Sequence, residues 1–235
     1  MRKTILILIV MFISTPSLAQ DDQPIKILQE SVDKTISILK DPRYHGTAQR
    51  DVLQQKLGEI AQQVFDFTKF SMLALGSNRS NFNSQQRKEF TDVFSRFLAK
   101  YYISRLQEKY SDEKVIFLRQ NNFANSRALI KTKVLWHDLK IPVDIWMLKR
   151  NGTWKAYNVV VSGVSAVSNY RAQFKKLLLK KSPVQIIELV KSRMEQEGEK
   201  DKKKRADNVI QYIVLRPLFQ QYMMSAFNPA CKTLR

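Results

Sequence analysis

The stretch from Thr153 to Leu178, TWKAYNVVVSGVSAVSNYRAQFKKLL, constrains the fold more than any other part of the chain. It reads as a strand that turns and runs into a helix. Side chains of an extended segment alternate between faces. Trp154, Ala156, Asn158 and Val160 are therefore expected on one side of a sheet, with Lys155, Tyr157, Val159 and Val161 on the other. Ser162-Gly163 breaks the run, because glycine adopts backbone angles that strand residues do not. Val164, Val167, Tyr170 or Arg171, Phe174 and Leu177 then recur at helical spacing. Apolar groups on both faces of the strand predict cover on both faces, and so a thick body of helices and strands.

The rest of the chain supplies that cover. Pro24 opens a first helix with a stripe of Leu28, Val32, Thr35, Ile36 and Leu39, which Asp41-Pro42 ends. A second helix is expected from about Thr47 to Val64, with Leu53, Leu57, Ile60 and Val64 on one face. It delivers Phe65-Asp66-Phe67. Asp66 is readable as a catalytic acid or as the cap of a short helix over Phe67 to Leu75, and its place before that helix favours the cap. Ser84 starts the longest helix, reaching Tyr110, whose face carries Phe90, Val93, Phe94, Phe97, Leu98, Tyr101 and Leu106. Bulky, rigid rings on one stripe serve equally to fill a core or to wall a cavity.

From Glu113 the period changes from helical to alternating. Strands are expected at Lys114–Arg119, Arg127–Leu135, Val143–Lys149 and Trp154–Val161, with Asn151-Gly152 as a two-residue hairpin turn. Helices, then sheet, then helix is an α+β plan: an antiparallel twisted sheet of about four strands covered by several helices. Ser182-Pro183 begins a further helix through Val190. Lys191 to Arg205 is mostly charged and ends in Lys202-Lys203-Lys204-Arg205, as an exposed helix or a flexible linker. Asn208 to Phe227 turns apolar again, interrupted by Pro217, and either packs on the body or docks elsewhere.

The chemistry-bearing residues exclude several function classes. Six glycines leave no GxGxxG or phosphate-cradling loop. Gly163-Val164-Ser165-Ala166-Val167 lacks the second glycine of a nucleophile elbow. The two histidines, His45 and His137, lie far apart, and Cys231 is the single cysteine, so no triad, metal site or intrachain disulfide is expected. An enzyme is not expected, nor any cofactor. The first residues read as an export signal: Arg2 and Lys3, an apolar run over Thr4 to Ile13, and Ser17-Leu18-Ala19 as a cleavage site. Cleavage after Ala19 is expected to release an exported mature chain, expected in the periplasm, and divides the sequence into a signal peptide (1–19), a body (20–190) and a charged-then-apolar extension (191–235). The formal charge of +19 points to anionic partners, and export argues against nucleic acid.

The run WKAYNVVVSGVSAVSNYRAQF, together with Phe65-Asp66-Phe67, Met72, Leu75-Gly76, Gln86, Phe90 and Tyr101 in that order, resembles the MlaC family of periplasmic phospholipid-binding proteins. The resemblance covers about Pro24 to Val190. It implies a monomeric carrier of phospholipid with an apolar lipid cavity, the soluble part of an Mla-type ABC transport system. The partners so implied are an inner-membrane ABC transporter complex with its MCE-domain protein and an outer-membrane lipoprotein complex. Expected cavity residues are Phe67, Met72, Phe90, Phe94, Phe97, Tyr101, Tyr157, Val159, Val161 and Tyr170, with Arg171 as a phosphate holder at the mouth or the partner of an acidic neighbour. Two departures from the family pattern stand out: Asn158, where aspartate is usual, and Ala156, where valine is usual. A different reading of the residues is a basic exported binding module for an acidic surface or partner, with no lipid cargo.

Overall fold

A computed structural model describes residues 23–44, 49–110, 112–136 and 138–203. The expected signal peptide, His45, His137, the tail beyond Lys203 and Cys231 lie outside the described residues. Six helices and an antiparallel sheet make an α+β fold. Helix α1 spans Pro24–Lys40, α2 Arg50–Val64, α3 Phe67–Leu75 and α4 Ser84–Lys109. Strands β1 Lys114–Phe123, β2 Arg127–Trp136, β3 Leu139–Arg150, β4 Thr153–Val161 and β5 Val164–Ser165 follow. Helices α5, Ala166–Leu178, and α6, Pro183–Lys203, close the described chain.

Local chemistry sets the boundaries. Proline begins α1 and α6, where its missing N–H costs nothing. The N-cap of α4 is Asn83, whose side chain accepts from the Gln86 N–H while the Gln86 side chain accepts from the Asn83 N–H, a closed capping box. Asp66 caps α3 by accepting from the Lys69 N–H at 2.8 Å. Gly76 ends α3 at φ +59°, in a region that residues with a Cβ rarely adopt. Helix α6 runs on through the charged segment to Lys203 instead of stopping near Val190, because glutamate, lysine, glutamine and arginine are good helix formers.

The sheet is a meander in the order β1-β2-β3-β4-β5. Asn151 and Gly152, both at positive φ, make the tight β3–β4 hairpin. The short β5 is a strand more than expected, formed where the chain doubles back after Gly163. Two bulges break the register, one at Leu118 in β1 and one at Tyr157 in β4. The second changes the alternation expected for β4. Ala156 pairs with Met147 and Asn158 with Trp146, so Tyr157 is the extra residue. Trp154 and Ala156 consequently share a face with Val159 and Val161, which pair with Ile145 and Val143, while Asn158 and Val160 belong to the opposite face.

On the inner face Ala128, Ile130, Ile145, Met147, Trp154 and Ala156 form a buried cluster with Leu28 of α1. The outer face is a mixture of half-buried and exposed side chains: Ile116, Phe123, Leu129, Trp146 and Leu148 beside Arg127, Lys131 and Lys133. Phe123 and Trp146 pack together with tilted rings, centroids 5.4 Å apart. Cover on both faces of the sheet, as the doubly apolar strand suggested, is thus not what the described residues provide. The bulge gathers much of the β4 apolar surface on one side, and the outer face is shielded by its own side chains.

Candidate functional site

The helices hold a second and larger core. Phe70, Ala74, Leu75, Phe82, Phe90, Val93, Phe94, Phe97, Leu98 and Tyr101 meet Val167, Tyr170 and Phe174 of α5 and Ile186, Ile187 and Val190 of α6. Phe94 is its hub, with ring centroids 5.1 Å from both Tyr170 and Phe174, 5.2 Å from Phe90 and 6.1 Å from Phe70. Phe97 lies between Phe94 and Tyr101, at 6.3 and 5.8 Å. Edge-to-face and offset pairs of this kind are favourable beyond the area they bury.

Five of the expected cavity residues, Phe90, Phe94, Phe97, Tyr101 and Tyr170, therefore sit together in one buried cluster, and Phe67 and Met72 are partly buried against it. Met72 also reaches the surface. With Thr68, Thr91 and Ser95 it lines an open groove of about 540 Å³ between α3 and α4, bordered by Arg87 and Lys88. Val159, Val161 and Tyr157 stand apart from the aromatic cluster, on the sheet. Val134, Ile141, Val143, Val159 and Val161 share the inner face with the buried cluster under α1 but are only half-buried. The inner face thus has a closed half and a half-open apolar half. Phe65 joins the two bodies. It bridges to Ala156 at the β4 edge, and its ring lies 4.9 Å from Phe67 and 5.6 Å from Phe70.

Arg171 is exposed, and its Nε donates to the carbonyl of Leu73 at 2.8 Å. Its side chain passes so close to Gly76 that a Cβ there would lie 3.0 Å from the Arg171 Cδ. Glycine at 76 thus serves both the turn and this contact, and Arg171 ties α5 to the end of α3. Tyr157 sits at its bulge near Arg127, and burial raises its pKa. Asn158 shows what the departure from aspartate preserves: its Oδ1 accepts from the Ser165 hydroxyl and from the Val167 N–H, each at 3.1 Å. Ser165 in turn accepts from the Ser168 N–H. An amide oxygen holds the start of α5 with the geometry a carboxylate oxygen would use.

Three polar side chains at the edge of the aromatic cluster, Tyr102, Arg105 and Arg193, escaped the sequence reading. Tyr102 turns from Tyr101 with ring centroids 5.3 Å apart and edges perpendicular. The Arg105 guanidinium lies 4.2 Å over the Tyr101 ring. Tyr102 faces Tyr170 closely enough that each hydroxyl alters the other's proton affinity, and burial holds both pKa values above the usual phenol value. The charge of Arg193 on α6 also reaches Tyr170 and opposes the effect of burial. The Tyr101–Arg105 spacing, one helical turn, was the one signal present in the sequence. Nearby, Lys191 bridges Glu89 of α4 and Glu188 of α6 at 2.8 and 2.7 Å, and these bonds raise its pKa.

Among the described residues no group of His, Cys, Asp and Glu is placed to hold a metal ion, and no helix is long and apolar enough to cross a membrane. Residues 29–196 match the family model described as MlaC protein. The chain belongs to the MlaC family. The fold is shared with a phospholipid-binding protein from Ralstonia solanacearum, solved in complex with a phospholipid. The two are 20% identical and superpose with a TM-score of 0.63, covering 74% of this chain and 97% of that one. No curated protein matches the chain. The family's match ends at residue 196, within α6, so the charged end of that helix and everything after it stand outside the shared region.

Proposed function

We propose that this protein carries phospholipid, holding acyl chains between the aromatic helical cluster and the half-open inner face of the sheet. Membership of the MlaC family over residues 29–196, in a fold that a phospholipid-bound protein shares, is the observation that carries this reading. The physical requirement is simple. Two acyl chains hold about 30 methylenes, and each costs roughly 0.8 kcal/mol to expose to water. A carrier must cover nearly all of them, yet release them to a bilayer where they are equally dry. Transfer is then close to balanced in free energy, and docking partners set its direction.

In this reading Phe67, Met72, Phe97, Tyr101, Tyr170, Val159 and Val161 wall the acyl chains, and Phe90 and Phe94 back that wall. The protein works in the periplasm after loss of residues 1–19, as a monomer. It exchanges lipid between an inner-membrane Mla-type ABC transporter complex with an MCE-domain protein and an outer-membrane lipoprotein complex. It performs no chemistry and needs no cofactor. The test is organic extraction and mass spectrometry of protein purified from its native envelope, followed by reloading from phospholipid vesicles. Stoichiometric phospholipid is expected. Protein that carries none and takes up none refutes the proposal.

A second reading, a basic binding module without lipid cargo, is favoured by the outer sheet face, where Phe123, Trp146 and Ile116 are accessible beside Arg127 and Lys133. It predicts lipid-free protein that sediments with acidic vesicles and is released by salt.

A further inference from the structure

We infer that Arg105, Arg193, Tyr102 and Tyr170 form a recognition site for a phosphate oxyanion, placed where the headgroup of a lipid would lie if its chains enter the aromatic cluster. The inference rests on the carrier reading for the source of the phosphate. Its physical basis is separate. Tyr170 is 4% exposed, and its hydroxyl, at the edge of an otherwise apolar cluster, faces the Tyr102 hydroxyl without closing a well-formed hydrogen bond to any described residue. The Nε of Arg105 is likewise buried without a partner, although the guanidinium itself is stacked and held 4.2 Å from the Tyr101 ring. A buried donor without an acceptor is costly, and native structures keep few of them. Two such donors on α4 and α5, within reach of the charge of Arg193 on α6, share one requirement: an acceptor rich in oxygen and negative charge.

The charge balance agrees. Neither Arg105 nor Arg193 forms an ion pair with a carboxylate among the described residues, whereas Lys191, two residues from Arg193, is matched by two glutamates. Among the described residues, then, the lysine of this corner is neutralised and neither arginine has a carboxylate partner. Arginine is the side chain suited to the remaining task. Its planar fork presents paired N–H donors to phosphate oxygens, and its delocalised charge tolerates stacking on an aromatic ring. The two phenols add O–H donors and no competing negative charge, since a phenol keeps its proton at neutral pH. The site is built from three helices, Tyr102 and Arg105 on α4, Tyr170 on α5 and Arg193 on α6, so its geometry depends on how those helices pack.

The experiment compares retention of phosphatidylglycerol with that of diacylglycerol bearing the same chains, by native mass spectrometry of the full exported protein. The wild type and the Arg105→Gln/Arg193→Gln and Tyr170→Phe variants are loaded from vesicles of each lipid. The wild type is expected to favour the phosphodiester. The double variant should lose that preference by about tenfold or more, the scale of a lost charge-assisted hydrogen bond, while its diacylglycerol retention stays unchanged. Tyr170→Phe keeps the ring and should give a smaller loss of the same kind. An unchanged preference in the double variant overturns the inference and leaves the carrier reading standing. Failure of the wild type to retain either lipid overturns the carrier reading instead. A parallel titration with inorganic phosphate, read by thermal shift, separates the sources. Stabilisation of the wild type but not of the double variant, without any lipid preference, assigns the site to a soluble phosphate ester and removes the headgroup role.

Discussion

Phe94→Ala separates a cavity wall from a plain core. Phe94 is all but inaccessible and touches the rings of Phe70, Phe90, Phe97, Tyr170 and Phe174. Truncating a buried phenylalanine costs about 3–5 kcal/mol, because transfer energy is lost and the cavity collapses only in part. For a chain of this size roughly 4 kcal/mol corresponds to about 8–16 °C in melting temperature. That is the expected fall for delipidated protein. If acyl chains lie against the ring cluster, some methylenes enter the vacated space in the loaded protein. Three of them recover roughly 2 kcal/mol, so loaded Phe94→Ala should lose only about half as much. The assay is paired thermal unfolding of delipidated and reloaded protein, wild type and variant. Equal losses in the two states would refute the argument, because they would mean that lipid never reaches the cluster.

Further outcomes follow from individual contacts. Asp66→Ala should cost about 1 kcal/mol in urea unfolding by removing the α3 cap, with lipid content unchanged. Asn158→Asp should keep or raise stability, since the same oxygen accepts from Val167 and a negative charge favours a helix N-terminus, whereas Asn158→Leu should cost about 1–3 kcal/mol by orphaning that N–H. Gly76→Ala should destabilise by about 1–2 kcal/mol, through both its positive φ and the Arg171 contact, and Arg171→Ala in the same chain should return only the second part. Tyr170 carries a raised pKa because of burial, so the stability it contributes is fully present below the unfolded value of 10.0 and is lost as pH rises beyond it. The slope of stability against pH above 10 should therefore flatten in Tyr170→Phe.

Helix starts, the hairpin and the meander were legible in the sequence because they depend on neighbours along the chain. Pro24, Asn151-Gly152 and the stripe from Phe90 to Tyr101 act within one or two turns, and the structure uses each as its spacing implied. The end of α6 was ambiguous because its charged residues suit a helix and a linker equally well. The facing of β4 is not legible in the sequence, since a bulge is a property of two strands, and nothing in Ala156-Tyr157-Asn158 alone announces an extra residue opposite Trp146 and Met147. The Arg105, Tyr102, Tyr170 and Arg193 cluster was hidden for a related reason. Tyr102 and Arg105 lie one turn apart on α4, but Tyr170 and Arg193 are tens of residues away and join them only through the packing of α4, α5 and α6. Met72 carried no sign in the sequence that it would join the core to a surface groove.

The bulge at Leu118 has a consequence for self-association. Among the described residues strand β1 is the outer edge of the sheet, ten residues long, with Ile116, Leu118 and Phe123 exposed. An unpaired edge of that length and composition is a template on which a second chain can add a strand and propagate. The extra residue interrupts the hydrogen-bonding ladder near its middle and strengthens the local twist, so that neither half of the edge offers a long, flat run to an incoming strand. Lys114 and Arg119 place positive charges along the same border, and two such edges brought together repel. Deleting Leu118 would restore an even alternation along the whole edge. The chain so altered would keep its helices and its core and become prone to edge-to-edge polymerisation, a failure of colloidal behaviour rather than of folding.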